Sequence, residues 1–198
     1  MKISSSSTHP LWVRICHWIN VLAMLGMVLS GWRIYNASPL FDFIFPASLT
    51  LGGWLGGALQ WHFAMMWVLA INGLIYLTLG IFSGHFSRKL LPLSFNILIN
   101  DIKLAIRGKL HHADLNHYNM VQKAAYIMII SDGVMLILSG LVVWKSVQFP
   151  LLRDLLGGYD TARLIHFICM SGVVLFLCIH VLMVLLVPRT LLLMLRGR

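Results

Sequence analysis

The sequence contains no glutamate. Its six acids are all aspartate. Charged residues of both signs reach only 11% of 198 residues, against about 25% in a soluble domain. A soluble enzyme with a charged shell is hard to build from so little. Cysteine is also scarce. Cys16, Cys169 and Cys178 form no C-x-x-C and no C-x-x-C-H pattern, which excludes covalent c-type haem, a thiol redox pair and a zinc knuckle. All three sit in apolar runs and read as small buried hydrophobes. There is no internal repeat and no low-complexity tract beyond Ser4–Ser7.

Hydrophobicity is abundant instead. Apolar residues make up 59% of the chain and the mean hydropathy is +0.85. That excludes a disordered chain and points to a polytopic membrane protein. Four apolar runs, about 12–34, 62–82, 124–147 and 164–187, each approach the roughly 20 residues that cross a bilayer. Backbone polar groups in hydrocarbon must be satisfied internally, so the runs are expected to be helices. The first run holds Arg14 and His17 and has no small-residue cleavage site after it, so it reads as an uncleaved helix. The stretch 36–60 is apolar but interrupted by Pro39, Pro46, Gly52, Gly53, Gly56 and Gly57. It is expected to lie along the interface, where its aromatic and Gly-rich tract could form a docking surface.

Basic residues orient the spans. With the N-terminus inside, Lys2, Arg14, Arg88, Lys89, Lys103, Arg107, Lys109, Lys123, Arg189, Arg196 and Arg198 fall on the inner side. Only Arg33, Lys145, Arg153 and Arg163 fall outside. This bias places both termini in the cytoplasm of a bacterial inner-membrane protein. It also explains the net charge of +9 without nucleic acid, because the basic residues border membrane lipid. The cytoplasmic loop, about 83–122, contains an amphipathic stretch, Leu90–Ile106, expected to lie on the inner surface.

The nine histidines divide by position. His9, His85, His111, His112 and His117 fall in polar segments and read as solvated surface. His17, His62, His166 and His180 fall in or at the edge of the spans, where an ionisable group is costly and points to function. His62 and His166 lie toward the outer face, His17 and His180 toward the inner. His166 and His180 are 14 residues apart, which on a helix puts them on nearly one face and about 21 Å apart. Two stacked cofactors, each bound from both sides, fit this layering, with His62 paired to His166 and His17 to His180. Two imidazoles on one flat macrocycle describe bis-histidine haem b, whose filled axial positions favour electron transfer over gas binding. Zinc needs four close ligands, which that separation forbids. A proton relay of histidines would not require the layering.

Other residues follow from that arrangement. Gly31, Gly73, Gly133 and Gly140 could leave room beside a macrocycle or serve ordinary small-residue helix packing. Arg33 and Arg163 are candidates for the outer haem propionates, or interfacial anchors. Arg14 is a candidate for the inner haem, or likewise an anchor. Asp132, the one acid well inside a span, could transfer protons or pack beside Ser131.

Five marks in order give a resemblance: H-P-L-W-V-R-I-C-H-W-I-N (His9–Asn20), G-W-R (Gly31–Arg33), W-H (Trp61–His62), Y-N-x-x-Q-K (Tyr118–Lys123) and R-x-I-H-F (Arg163–Phe167) with His180 following. Nearly the whole chain resembles the bacterial cytochrome b561 and nickel-hydrogenase cytochrome b group, related to the cytochrome subunit of formate dehydrogenase. The resemblance implies that His17, His62, His166 and His180 bind two b haems. It also implies a quinone site at Asn119, with Gln122 and Lys123 as further candidates. It implies a periplasmic partner of hydrogenase, formate dehydrogenase or molybdopterin type. The expected fold is therefore an all-α integral membrane four-helix bundle enclosing two b haems, with residues 1–198 as one domain. The expected function is electron transfer between that partner and the quinone pool, as the subunit of a quinone-linked oxidoreductase. The alternatives are a stand-alone superoxide:quinone oxidoreductase and a cofactor-free small membrane transporter.

Overall fold

The computed structural model describes residues 10–84 and 120–197. The expected amphipathic stretch 90–106 and Asn119 lie outside the described residues. The described part is helical, with α1 (Leu11–Ala37), α2 (Leu55–Phe82), α3 (Met120–Lys145), α4 (Pro150–Leu155), α5 (Tyr159–Leu186) and α6 (Pro188–Arg196). A 3-10 turn, Ala47–Leu49, lies between α1 and α2. Four of these helices are long and apolar enough to cross a membrane: α1, α2, residues Gln122–Lys145 of α3, and α5.

Proline and glycine set the helix limits. Pro10 precedes α1. Ser38, which the following Pro39 biases away from helix, closes it in a non-helical conformation at φ −153°. Pro150 and Pro188 occupy the first positions of α4 and α6, where the missing N–H leaves no helical bond unmade. Gly197, at φ +79°, ends α6 in the left-handed conformation that glycine adopts without a Cβ clash. The second span starts earlier than the hydropathy expects, at Leu55 instead of about 62. Gly56 and Gly57, expected among the interruptions, lie inside its first turn. They serve close packing: a Cβ on Gly57 would collide with the carbonyl oxygen of Gly52.

The described residues form two compact units. In the first, α1 and α2 pack as an antiparallel hairpin, with α6 belonging to the same unit. Residues 38–54 form no spanning helix and fold back on α1, where the Leu51 N–H donates to the Leu29 carbonyl at 3.0 Å. Asn36 organises this segment. Its Nδ2 donates to the Phe45 carbonyl at 2.8 Å, and its Oδ1 accepts from the Phe45 N–H at 2.9 Å. Trp32 stacks on Phe45 with ring centroids 4.5 Å apart. In the second unit, α3 and α5 pack as an antiparallel hairpin joined through α4.

Among the described residues, those fully buried inside each hairpin are mostly small: Ala23, Ser30 and Ala58 in one, Ser139, Val142 and Ala162 in the other. Helices in lipid associate by close packing of small residues, not by a hydrophobic drive. The large apolar residues face outward instead, as at Leu74 (68% exposed), Ile137 (65%) and Leu185 (69%). Surface of this kind belongs in hydrocarbon, so the chain is read as a multi-pass membrane protein.

Candidate functional site

His62 lies near the start of α2, opposite Ser30 of α1. The two side chains meet with Nδ1 3.1 Å from Oγ. Ser30 is fully buried. Its hydroxyl turns back on its own helix, 2.6 Å from the Gly26 carbonyl and 3.1 Å from that of Met27. Serine commonly makes this bond to the carbonyl four residues back inside an apolar helix. The next residue, Gly31, faces the same imidazole: a Cβ there would sit 3.5 Å from its Cε1.

The second unit repeats the arrangement. His166 of α5 approaches Ser139 of α3 with Nδ1 3.1 Å from Oγ. Ser139 is fully buried and donates back to Met135, 2.6 Å away, with Leu136 at 3.3 Å. The His166 Nδ1 also lies 3.1 Å from the Leu136 carbonyl. Gly140 follows, and a Cβ there would lie 3.1 Å from Cε1 of His166. Each hairpin thus holds one histidine by a serine of the facing helix and leaves a glycine beside its ring.

The other two histidines lie one layer away in each unit. In the first hairpin, Ser30 faces His62, and Asn72 reaches the Cys16 carbonyl at 2.8 Å and Asn20 Oδ1 at 2.6 Å. His17 is 13 residues before Ser30 on α1, so it lies about 20 Å along the axis from the His62 level. On α5, His180 is 14 residues beyond His166, about 21 Å at the same rise. The two hairpins therefore carry nearly the same internal spacing. His17 meets Trp18 edge-on at 5.4 Å between ring centroids, and His180 stacks on Phe176 at 5.9 Å.

An imidazole engaged through Nδ1 can keep its lone pair on Nε2 and present it to iron, with the second hydrogen bond fixing the ring. A glycine at the ring's flank keeps carbon away from it. His62 and His166 both fit a haem-iron ligand on the first count, and the second weighs at His166, where an added Cβ would lie 3.1 Å from the ring. Arg33 stands one turn beyond Ser30 on α1 and makes no hydrogen bond or ion pair among the described residues. Arg163 stands one turn before His166. Both positions suit an anionic propionate. Arg14 is engaged elsewhere: its Nε donates to the Met194 carbonyl at 3.0 Å and its Nη2 to that of Leu195, at the end of α6. Gln122 and Lys123 lie in the first turn of α3. Asp132 faces Gly172 of α5, and its buried Oδ2 has no hydrogen-bond partner among the described residues.

Ser30 and Ser139 were missed from the sequence. The Ser-Gly pair occurs four times, at Ser30, Ser83, Ser139 and Ser171, so the dipeptide alone does not select them. Their partnership with histidine depends on which turn of one helix faces which turn of the next, and hydropathy does not encode that.

The family model described as prokaryotic cytochrome b561 matches residues 8–197. The chain is similar to the putative protein-methionine-sulfoxide reductase subunit YedZ1 of Azospira oryzae, at 60% identity over 189 residues, which cover 96% of each chain. No solved structure matches it.

Proposed function

The chain belongs to the prokaryotic cytochrome b561 family, and from that premise we propose that it carries electrons from a membrane quinol to a periplasmic protein-methionine-sulfoxide reductase. The family is one of membrane electron carriers with haem b. The observation that carries the partner is the identity to a putative reductase subunit along nearly the full length of both chains. The chemistry gives the direction. Reducing a sulfoxide to a thioether and water takes two electrons and two protons, and oxidising a quinol to a quinone releases the same number. The electrons therefore run outward from quinol to reductase. Among the partner types the resemblance implies, the molybdopterin type is the one proposed.

We place two b haems in the chain, one held by His62 and His166 and one by His17 and His180. Support comes from the nearly equal spacing of the histidines inside each hairpin and from the fit of His62 and His166 as iron ligands. Haem b, when bound, would supply a one-electron iron couple. The residues do the rest. Four imidazoles would hold the iron, Arg33 and Arg163 would compensate propionate charge, and the outward apolar side chains would insulate the site in lipid. Asn119, with Gln122 and Lys123, is the proposed quinone site. Both termini are proposed to be cytoplasmic in the bacterial inner membrane, with the His62 and His166 layer toward the periplasm.

The test is haem quantitation with a reduced-minus-oxidised spectrum on the purified wild type and on His17→Ala, His62→Ala, His166→Ala and His180→Ala. Two b haems are expected in the wild type. The variants at His62 and His166 lose one of them, and those at His17 and His180 lose the other. Wild type reduced by a quinol analogue is then reoxidised when a methionine-sulfoxide reductase and a methionine-sulfoxide peptide are added together. No haem in the wild type sinks the cytochrome reading, and no reoxidation with a competent reductase sinks the partner.

A further inference from the structure

We propose that Ser30 and Ser139 are positioning residues that fix the proton of His62 and His166 on Nδ1, and so hold down the midpoint potential of the haem that these imidazoles ligate. The proposal rests on the haem assignment above and adds two residues to it.

The argument begins with hydrogen count. A serine hydroxyl has one proton and two lone pairs. Each of these serines has a carbonyl of its own helix at 2.6 Å, and a carbonyl can only accept. Each hydroxyl proton is therefore committed to the backbone. What the oxygen offers His62 or His166 at 3.1 Å is a lone pair, so the imidazole must donate. At His166 a second acceptor enforces the same result, because the Leu136 carbonyl at 3.1 Å can take a proton but cannot give one. A neutral imidazole with its proton on Nδ1 carries its lone pair on Nε2. The nitrogen that binds iron is thereby chosen by a residue that touches no iron.

The same bond has an electronic consequence. An acceptor on Nδ1–H draws the proton outward and makes Nε2 a stronger donor. A stronger donor stabilises ferric over ferrous iron and lowers the potential. The buried setting strengthens the effect, since water is not there to replace a lost acceptor. Both serines are fully buried. Because the two latches are alike in distance and in the carbonyl that takes the hydroxyl proton, both act in one direction.

The experiment is potentiometric titration of holoprotein, followed at the haem absorption bands, for wild type, Ser30→Ala, Ser139→Ala, Ser30→Thr and Ser139→Thr. Each alanine variant is expected to keep two haems per chain and to raise one midpoint. The expected change is about tenfold in the ferric-to-ferrous ratio at fixed potential, which is 59 mV for one electron. Each threonine variant, which keeps the hydroxyl and can make the same backbone bond, is expected to keep the wild-type midpoint. If both alanine variants raise the same midpoint, the serine role and the pairing of His62 with His166 are supported together. Two different midpoints would support the serine role and overturn the pairing. Two unchanged midpoints with full haem content would overturn the proposal. Where an alanine variant sheds haem, the threonine variant decides: a wild-type midpoint supports the proposal, and a raised one overturns it.

Discussion

Replacing Gly31 and Gly140 by alanine separates two sites that look alike. Both glycines follow the serine latch, and both lie in helices. In each case alanine relieves a helix of glycine's excess backbone freedom, which contributes about 0.5–1 kcal/mol. The flanking space differs. A Cβ on Gly31 would lie 3.5 Å from Cε1 and 3.8 Å from Nδ1 of His62, ordinary van der Waals distances. A Cβ on Gly140 would lie 3.1 Å from Cε1 and 3.4 Å from Nδ1 of His166, so that ring must retreat a few tenths of an ångström. Its retreat strains two hydrogen bonds, to Ser139 and to Leu136. Overpacking of this kind costs about 1–3 kcal/mol. Gly31→Ala is therefore expected to match or exceed the wild type in stability, and Gly140→Ala to fall about 1–3 kcal/mol below Gly31→Ala. Thermal unfolding of the detergent-purified holoprotein, with haem retained per chain as a parallel readout, measures the difference. Equal melting of the two variants, or the reverse order, would refute the reasoning.

Asn72→Ala removes bonds to the Cys16 carbonyl and to Asn20, with an expected loss of about 1–2 kcal/mol at roughly 0.6–1 kcal/mol per buried bond. A double-mutant cycle with Asn20→Ala isolates the side-chain pair, and a coupling energy near zero would contradict the assigned contact. Arg14→Ala removes charged donors from the α6 carbonyls. Such a bond contributes about 1.5 kcal/mol, so amide hydrogen exchange in the last turn of α6 is expected to quicken about tenfold. Unchanged protection there would mean that α6 is held by other contacts.

The sequence made the four spans legible because hydrocarbon imposes one rule on every residue in it. It was less informative about helix ends. The hydrogen-bonding ladder of α2 runs past the apolar edge through Gly56 and Gly57 to Leu55, and that of α5 runs back to Tyr159. Neither extension alters hydropathy enough to show. The histidine spacing was legible because helix periodicity converts sequence distance directly into height and angle. The latches were not, since Ser30 opposite His62 is a fact about two helices in register. Asn72 is a similar case: its partners, the Cys16 carbonyl and Asn20, lie on the facing helix and depend on the same register. Charge placed Arg14 at one end of α1, but only the return of α6 to that end shows what its guanidinium grips.

The serine latches also bear on biogenesis. Each one closes within a single hairpin: Ser30 and His62 both belong to α1 and α2, and Ser139 and His166 both belong to α3 and α5. A helical hairpin emerging into the membrane during synthesis can therefore orient its own histidine before later segments exist. The orientation of His62 and that of His166 are thus each written into two neighbouring helices, and no later segment is needed to set either ring.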